Sequence, residues 1–553
     1  MRADQPGRIG SLTVPNRIVM APMISNLANP DGSTNETHIA YLAARARGGA
    51  GLLITEYAFV NGRNARGSRN ELGAYHPDFV PKLRRLTERV HDEGSRIFLQ
   101  LVHCGGRAGL DTNPEGPIAP SLLDYPGPAP REMTPADFES VVDDFVRAAR
   151  LGERAGFDGL EIHGAHGYLI HQTIAPALNH REDRYGGSFD GRLTFAREVV
   201  RAVRGEVGLP VGLRLSLYED EADGYGPEYG LSVAEAIEGL DYVHFSAGRF
   251  APPGSSAAFY SPRLHVAHRL LRRPSLTTMV VGSVVDARDV EGALEIADFV
   301  SVARGMLADP SFAAAVLGRR RELRPCIRCN QACRDLAWGE VRCTVNPDVG
   351  YEGLARPGRP LRGEVVVVGG GVQGLEAALA ASSRGLRVTL YEQAESVGGQ
   401  LLAILDEAKR REFLPLVRFY DRALAGRKVE VVTGTRYTGA GIVCTPDVEY
   451  PDLLAVRPTS VDSNIFQHHD QILSLAESGP LVVSRRSLES LDRVRGAGYR
   501  ALAESKGVTF VADSARSFDV VLHEPRQYDL RQAIVAGRRK VARYLSEHLP
   551  EFL

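Results

Sequence analysis

Four of the chain's six cysteines fall within eighteen positions, as Cys326-Ile-Arg-Cys329-Asn-Gln-Ala-Cys333 and then Cys343. Thiolates at that spacing can hold a soft metal centre, the close trio wrapping it from one loop and the later residue closing the cage. Structural zinc more often shows two separated Cys-x-x-Cys pairs. The spacing therefore favours an iron–sulfur cluster, with zinc as the alternative and four unrelated thiols as a third reading. A second group is His163-Gly-Ala-His166-Gly-Tyr168. Two imidazoles so placed can donate hydrogen bonds to one carbonyl oxygen and draw electron density away from the β-carbon of an enone. A neighbouring phenol can protonate the α-carbon. A third group is Gly369-Gly-Gly371-Val-Gln-Gly374, whose glycines let the backbone approach a pyrophosphate at a helix N-terminus.

These groups need elements to position them. Short apolar runs rich in β-branched residues recur at Ile18–Ala21, Gly51–Thr55, Ile97–Leu101, Leu160–His163, Val211–Leu215, Tyr242–Ser246, Thr278–Val281 and Phe299–Val302. Helical patterns with apolar residues three and four apart lie between them, including Glu36–Arg47, Asp78–Glu93, Pro135–Ala155 and Gly191–Gly205. The helix between the fifth and sixth runs is short, around Val233–Glu238. Eight strand–helix units predict a (β/α)8 TIM barrel, with its active site at the C-terminal strand ends. An open doubly wound sheet is the alternative, and it leaves unexplained why polar residues cluster just after the strands. Ala21-Pro22-Met23 ends the first strand, Gln100 lies on the third, and Arg214 lies on the fifth. A lone histidine is usually structural; two with a tyrosine at the end of the fourth strand reverse that expectation.

Composition sets the outer limits. The chain is 44% hydrophobic and 24% charged, with a formal net charge of −2. That balance argues against a nucleic-acid partner or an anionic membrane surface. No apolar run approaches the ~20 residues of a spanning helix, and Met1-Arg-Ala-Asp-Gln-Pro has no signal-peptide core. Few cysteines, four of them read as metal ligands, fit a reducing compartment. A cytoplasmic, multi-domain α/β protein is expected, and a homo-oligomer.

The barrel resembles the old yellow enzyme family of FMN-dependent oxidoreductases. The residues carrying the likeness are Pro15-Asn16-Arg17, Ala21-Pro22-Met23, Gln100, His163-x-x-His166-Gly-Tyr168, Asn179-x-Arg181-x-Asp183 with Tyr185-Gly-Gly-Ser188, Arg214, and Ala303-Arg304-Gly-x-x-Ala-Asp309-Pro310. The resemblance implies that Ala21, Pro22 and Met23 flank the isoalloxazine, that Gln100 bonds its pyrimidine edge, and that Arg214 lies near N1 and O2. It implies a phosphate held by Gly282-Ser283 and Ala303-Arg304. His163 and His166 match the substrate-anchoring pair and Tyr168 the proton donor. Ile24 departs from the family, standing where many relatives carry threonine or cysteine against the flavin carbonyl. The loop from Ala247 to Pro262 offers Tyr260 but no histidine, whereas dienoyl-CoA reductases draw a second acid from it.

The cysteine pattern, followed by Cys343-x-Val-Asn-Pro347, is similar to the subgroup containing 2,4-dienoyl-CoA reductase and trimethylamine dehydrogenase, and implies a [4Fe-4S] cluster. Trp338, between the ligands, is expected to pack the loop. The glycine fingerprint follows a strand, Glu364–Val368, opens a helix, and meets Glu392 after a second strand. That is the context a dinucleotide site requires. Gly398-Gly399-Gln400-Leu401 is similar to the second glycine pair of these flavoproteins, so FAD or ADP is expected. No second fingerprint follows. Gly496-Ala-Gly498-Tyr-Arg-Ala501 has the bare spacing but succeeds a polar helical stretch, and reads as a surface helix or turn. Gly441-Ile-Val-Cys444-Thr-Pro stands near the place of an expected Ala-Thr-Gly segment, and Leu522-His-Glu-Pro-Arg526 near that of a Gly-Asp. The expected division is an FMN-binding barrel (1–325), a cluster segment (326–360), a Rossmann-like FAD or ADP half (361–445), and a degenerate NAD(P)-domain-like region with a closing helix from Asp529 to His548 (446–553). NAD(P)H binding is left unassigned.

Three functions compete. An ene-reductase would hold an α,β-unsaturated carbonyl on His163 and His166, take hydride from FMN and a proton from Tyr168. An amine dehydrogenase or N-demethylase would pass electrons through the cluster to an external carrier, a ferredoxin or flavoprotein. A non-enzymatic scaffold or carrier-binding module would merely keep the fold. The paired histidines favour the first, because an amine cation gains nothing from two donors. The substrate is a small molecule in either enzymatic case.

Overall fold

The computed structural model describes residues 2–122, 129–249, 262–320, 322–334, 339–354, 360–445, 453–463, 466–488, 493–512, 518–522 and 530–548. The chain forms two compact units. The first comprises 1–321 with 336–341 and 348–354, and the second 322–335, 342–347 and 355–553.

In the first unit the alternation closes into a barrel. Its strands are β1 (Ile18–Met20), β2 (Leu52–Ile54), β3 (Arg96–Val102), β4 (Gly159–Gly164), β5 (Val211–Ser216), β6 (Tyr242–Ser246), β7 (Thr277–Val281) and β8 (Phe299–Val302). Each is parallel to the next, β8 pairs with β1, and the β2–β3 pairing completes the ring. The strands are buried on both faces, as parallel strands between a filled barrel and a coat of helices must be. Helices α1 (Glu36–Arg47), α2 (Val80–Asp92), α3 (Pro135–Arg154) and α4 (Phe189–Glu206) lie close to their expected bounds. Their starts are fixed locally. Asn35 accepts from the His38 amide, Thr134 and Asp137 form a capping box, and Ser188 accepts from the Gly191 amide. The helix after β5 runs Pro227–Ala236, earlier than expected, because Gly226-Pro227 supplies its N-terminus.

An N-terminal hairpin, Gly7–Ile9 with Leu12–Val14, contributes Ile9 and Val14 to a core shared with Val19, Leu52, Phe98, Tyr242, Met279 and Phe299. That core fills the strands' N-terminal end. Further along, register sets polar residues side by side: Gln100 beside Glu161, His163 beside Arg214, Arg214 beside His244. Gly212 is needed here, since a Cβ on it would stand 2.0 Å from the Tyr242 ring.

The second unit holds two parallel four-stranded sheets. The first contains Glu364–Val368, Arg387–Tyr391, Val429–Val432 and Ile442–Val443, in the spatial order third, second, first, fourth. The second contains Ser460–Ser463, Leu481–Ser484, Val508–Val511 and Val520–Leu522 in the same order. The C-terminal region thus forms a parallel sheet of the same strand order, although no Gly-x-Gly-x-x-Gly follows its first strand in sequence. The Gly496–Ala501 stretch lies inside the helix Arg493–Ser505. The closing helix, Leu530–His548, packs on Val372–Ser383; a Cβ on Gly537 would meet the Gln373 carbonyl at 2.3 Å. Glu376, fully buried, ties this region together by accepting from Arg324, Tyr420 and Arg538.

Candidate active site

At the C-terminal end of β4 the chain turns sharply. His166 takes φ +60°, and Gly167 follows at +72°. The turn folds Tyr168 back so that its ring centroid lies 5.0 Å from that of His163, while the His163 and His166 rings stand perpendicular at 5.3 Å. His163 Nδ1 accepts from the Ala165 amide at 3.3 Å, which places its proton on Nε2 as a donor. His166 Nε2 is held at 2.7 Å by Ser246 Oγ at the end of β6. The two imidazoles are therefore unequal: Nε2 of His163 makes no hydrogen bond among the described residues, and that of His166 is shared with a hydroxyl. Burial, with Arg214 adding to it, keeps both imidazoles well below their ordinary range and hence neutral.

Tyr168 Oη bonds Tyr57 Oη at 3.0 Å, and the Arg107 guanidinium lies 4.9 Å from the Tyr168 ring centroid. Burial raises the Tyr168 hydroxyl, and Arg107 pulls against that rise. Arg107 also bonds the His166 carbonyl, fixing the turn.

Below these residues lies a buried polar floor. Glu161 accepts from Gln100 Nε2 at 2.6 Å, from Tyr242 Oη at 3.0 Å, and meets His244 Nδ1 at 2.9 Å. Burial pushes the Glu161 carboxyl up, and His244, Arg214 and Tyr242 more than offset it. Arg214 reaches across to the Pro22 carbonyl at 3.1 Å, next to Ala21 and Met23. Gln100 Oε1 and Arg214 Nε are buried without a protein partner. An unpaired acceptor and an unpaired cationic donor at one barrel mouth fit the pyrimidine edge of a flavin, where Gln100 would accept from a ring N–H and Arg214 would offset negative charge on the reduced ring. After β7 and β8, Arg304 Nη2 donates to Ser283 Oγ at 3.0 Å, bringing Gly282-Ser283 and Ala303-Arg304 together as a phosphate site requires.

In the second unit Gly371 precedes the helix Val372–Ser383 and offers no side-chain acceptor to its first amides. A Cβ on Gly374 would strike the Gly369 carbonyl at 1.8 Å, and one on Gly399 would meet Gly371 Cα at 3.0 Å. Fingerprint and second glycine pair, with Gln400 next in the chain, are thus neighbours in space. Glu392 accepts from the Gly370 amide at 2.6 Å and from that of Ala394 at 2.8 Å. Cys444 stands against Gly369, its amide bonding the Val368 carbonyl at 2.7 Å.

Among the described residues, no three His, Cys, Asp or Glu side chains are gathered tightly enough for a single ion. The cysteines nevertheless share a neighbourhood. Burial lifts the Cys343 thiol above its ordinary value, and Cys326, Cys333 and Cys329 add to the rise. Cys329 Sγ bonds Thr344 Oγ1 at 3.1 Å. In a four-iron cluster each thiolate binds a different iron, so its ligands stand wider apart than those of one zinc. Four neighbouring thiols are a donor set that either centre takes.

Sequence reasoning missed Tyr57, Arg107, Ser246 and Glu161. Tyr57 and Ser246 stand just after or at the end of barrel strands, the position that identified the others; Glu161 lies two residues before His163 and so on the same face. Tyr260 and Trp338 lie outside the described residues, as does most of Leu522–Arg526.

A profile described as the NADH:flavin oxidoreductase / NADH oxidase family matches residues 5–322, and one described as FAD dependent oxidoreductase matches 364–409. The chain is 39% identical to an NADH oxidase of Thermoanaerobacter brockii over 71% of its own length and 64% of that protein's. It is 32% identical to a cinnamate reductase of Clostridium sporogenes over 77% and 70%, and 31% identical to an N,N-dimethylglycine/sarcosine dehydrogenase of Chromohalobacter salexigens over 80% and 68%. The chain thus spans about two thirds of these relatives' length, and slightly less of the first. A solved 2-naphthoyl-CoA reductase superposes with TM-score 0.88 at 20% identity, covering 98% of this chain and 99% of that one, a likeness of fold.

Proposed function

Because the chain belongs to the NADH:flavin oxidoreductase / NADH oxidase family of flavin-dependent oxidoreductases, we propose that it reduces the C=C bond of an α,β-unsaturated carbonyl. FMN, when bound over Gln100 and Arg214, supplies the hydride. The observation that carries the reading is the grouping of a neutral His163, with Nε2–H unspent, beside a tyrosine hydroxyl that is itself hydrogen-bonded. His163 Nε2 donates to the substrate carbonyl oxygen, and His166 joins it by exchanging its bond to Ser246. Neutral donors suit this task, since an enone oxygen gains charge only as reduction proceeds. Tyr168 Oη delivers the proton to the α-carbon, with Tyr57 holding that hydroxyl in place. Ala21, Pro22 and Met23 line the cofactor's edge, fixed by the bond from Arg214 to Pro22.

We assign Cys326, Cys329, Cys333 and Cys343 to a [4Fe-4S] cluster, and the Gly369–Gly374, Glu392 and Gly399–Gln400 site to FAD or ADP. The domain boundaries at 325, 360 and 445 belong to the same reading. Amine oxidation is the second reading, favoured by likeness to the dimethylglycine dehydrogenase; there an external carrier accepts the electrons. The test is anaerobic single turnover. Reoxidation of reduced flavin by a cyclic enone supports reduction, whereas bleaching of oxidised flavin by secondary or tertiary amines with no response to enones overturns it.

A further inference from the structure

Arg107 stands on the 3-10 turn Gly105–Arg107 that follows β3, half-buried at the barrel mouth. It touches both parts of the candidate chemistry: it bonds the His166 carbonyl, and its guanidinium lies 4.9 Å from the Tyr168 ring centroid. The backbone that carries it is fastened to the backbone that carries Tyr168. Gln172, fully buried in the short helix Leu169–Ile174, accepts from the Gly106 amide at 3.1 Å and donates to the Gly167 carbonyl at 2.7 Å. One side chain thus ties the residue before Arg107 to the residue before Tyr168. Gly105 admits it, since the chain takes φ +61° there and a Cβ would stand 2.4 Å from Gln172 Oε1. The Leu169 amide, bonded to the His103 carbonyl at 3.0 Å, closes the same seam from the other side of Tyr168.

A cation fixed against a buried phenol has an electrical consequence. When Tyr168 gives its proton to the α-carbon, the Oη–H bond breaks, a Cα–H bond forms, and the electron pair stays on Oη as a phenolate. A guanidinium is attracted to a neutral aromatic ring by its quadrupole, and more strongly once that ring carries a full negative charge. An attraction that grows as the proton leaves speeds its departure. The other groups at the hydroxyl do not supply this. Burial, then Cys104 and Glu71, oppose the loss of its proton; Tyr57 helps by a hydrogen bond but carries no charge. The His163 ring beside it is neutral. Arg214, the other cation acting there, bonds the Pro22 carbonyl and is drawn to the Glu161 carboxylate. We propose that Arg107 is a positioning residue for proton delivery: its charge offsets the phenolate that Tyr168 becomes, while its bond to the His166 carbonyl keeps the histidine turn in register with that acid. The inference rests on the ene-reductase reading and gives its proton donor a charged partner.

The test has two parts, both on the holoenzyme. Arg107→Gln keeps a donor for the His166 carbonyl and loses the charge, whereas Arg107→Lys keeps the charge. Anaerobic stopped flow follows reoxidation of reduced flavin by a cyclic enone. The rate at saturating enone should fall about tenfold or more in Arg107→Gln, with little change in the enone dissociation constant, and Arg107→Lys should recover most of that loss. Next, Tyr168 is replaced by difluorotyrosine, a more acidic phenol, and fluorine NMR follows its ionisation in the oxidised protein. That phenol should titrate at higher pH in the Arg107→Gln background than in the wild-type one. A phenol that titrates at the same pH in both, a rate lost equally in Arg107→Lys, or a change confined to the enone dissociation constant overturns the assignment. If wild type reduces no enone while the phenol still titrates higher without Arg107, the ene-reductase reading fails and the coupling of Arg107 to Tyr168 stands. Arg107→Met, which removes the charge but keeps an unbranched stem, serves both measurements should Arg107→Gln not fold.

Discussion

The hydroxyl of Tyr57 lies 3.0 Å from that of Tyr168, so a residue following β2 is joined to one following β4. Burial raises both phenols, Tyr57 well above its ordinary value with Tyr168 adding to it. Both therefore stay protonated through the neutral range, and the pair can pass a proton in one direction as Tyr168 gives its own away. Tyr168→Phe should slow enone-driven flavin reoxidation by about 10²-fold or more, the usual worth of a positioned general acid. Tyr57→Phe should slow it about tenfold, the worth of one hydrogen bond on that acid. Stopped-flow absorbance of the flavin reads both; a Tyr57→Phe rate equal to wild type would remove Tyr57 from the path.

The two histidines make a pH prediction with a definite sign. Their folded pKa values are depressed, burial first and Arg214 second. The unfolded chain thus binds protons that the fold refuses once pH falls below about 6.5, and stability is lost on the acid side. Replacing His163 by Gln removes one such group. Thermal midpoints of wild type should fall faster than those of His163→Gln between pH 6.5 and 5, and the two curves should run parallel above pH 7.

Much of this arrangement was legible in the chain because a parallel barrel writes its period plainly. Tyr242–Ser246 and Phe299–Val302 are strands with the expected bounds, and Glu36–Arg47 is the expected helix. What escaped was contact between distant strands. Nothing local in Gln100 or Glu161 announces their 2.6 Å bond, which exists because β3 and β4 pair in register. His166 looks like a free donor in sequence, yet Ser246, eighty residues away, holds its Nε2. The second sheet of the C-terminal region was obscured for a related reason. Its strands Ser460–Ser463 and Leu481–Ser484 are short and half polar, and the glycine turn that usually advertises such a sheet is missing.

Glu71 offers a stability test of opposite sign. Burial is the main cause of its raised pKa, about 8, resisted by the Gly67 and Ser68 amides. The fold therefore keeps a proton that the unfolded chain releases near pH 4.5, and wild type loses stability as pH rises from there to about 8. Glu71→Gln lacks that proton equilibrium. The thermal midpoint of the variant minus that of wild type should climb by a few degrees across this window and level off above it. A difference that stays flat with pH would show that Glu71 is ionised in the fold.

The cysteine assignment is tested by composition. Cys343→Ser should lower iron and acid-labile sulfide together in anaerobically purified protein, by more than half, while FMN is retained, because no FMN contact proposed here involves that residue. Zinc in wild type, in place of iron and sulfide, would overturn the cluster.

Two glycines of the fingerprint separate folding from binding. A Cβ on Gly374 would lie 1.8 Å from the Gly369 carbonyl, a clash with backbone that no rotamer relieves. Gly371 differs: it takes φ −68°, open to any residue, and a Cβ there meets nothing within 4 Å. Gly371→Ala should fold as wild type does, yet its methyl group would occupy the space in front of the first amides of Val372–Ser383, where a pyrophosphate would lie. Its FAD or ADP content should fall about tenfold or more while its far-ultraviolet circular dichroism is unchanged, a loss set by displacing charged hydrogen bonds. Gly374→Ala should lose nucleotide and local structure together, seen as a lowered thermal midpoint. Full nucleotide content in Gly371→Ala would mean that the nucleotide does not sit at that helix start.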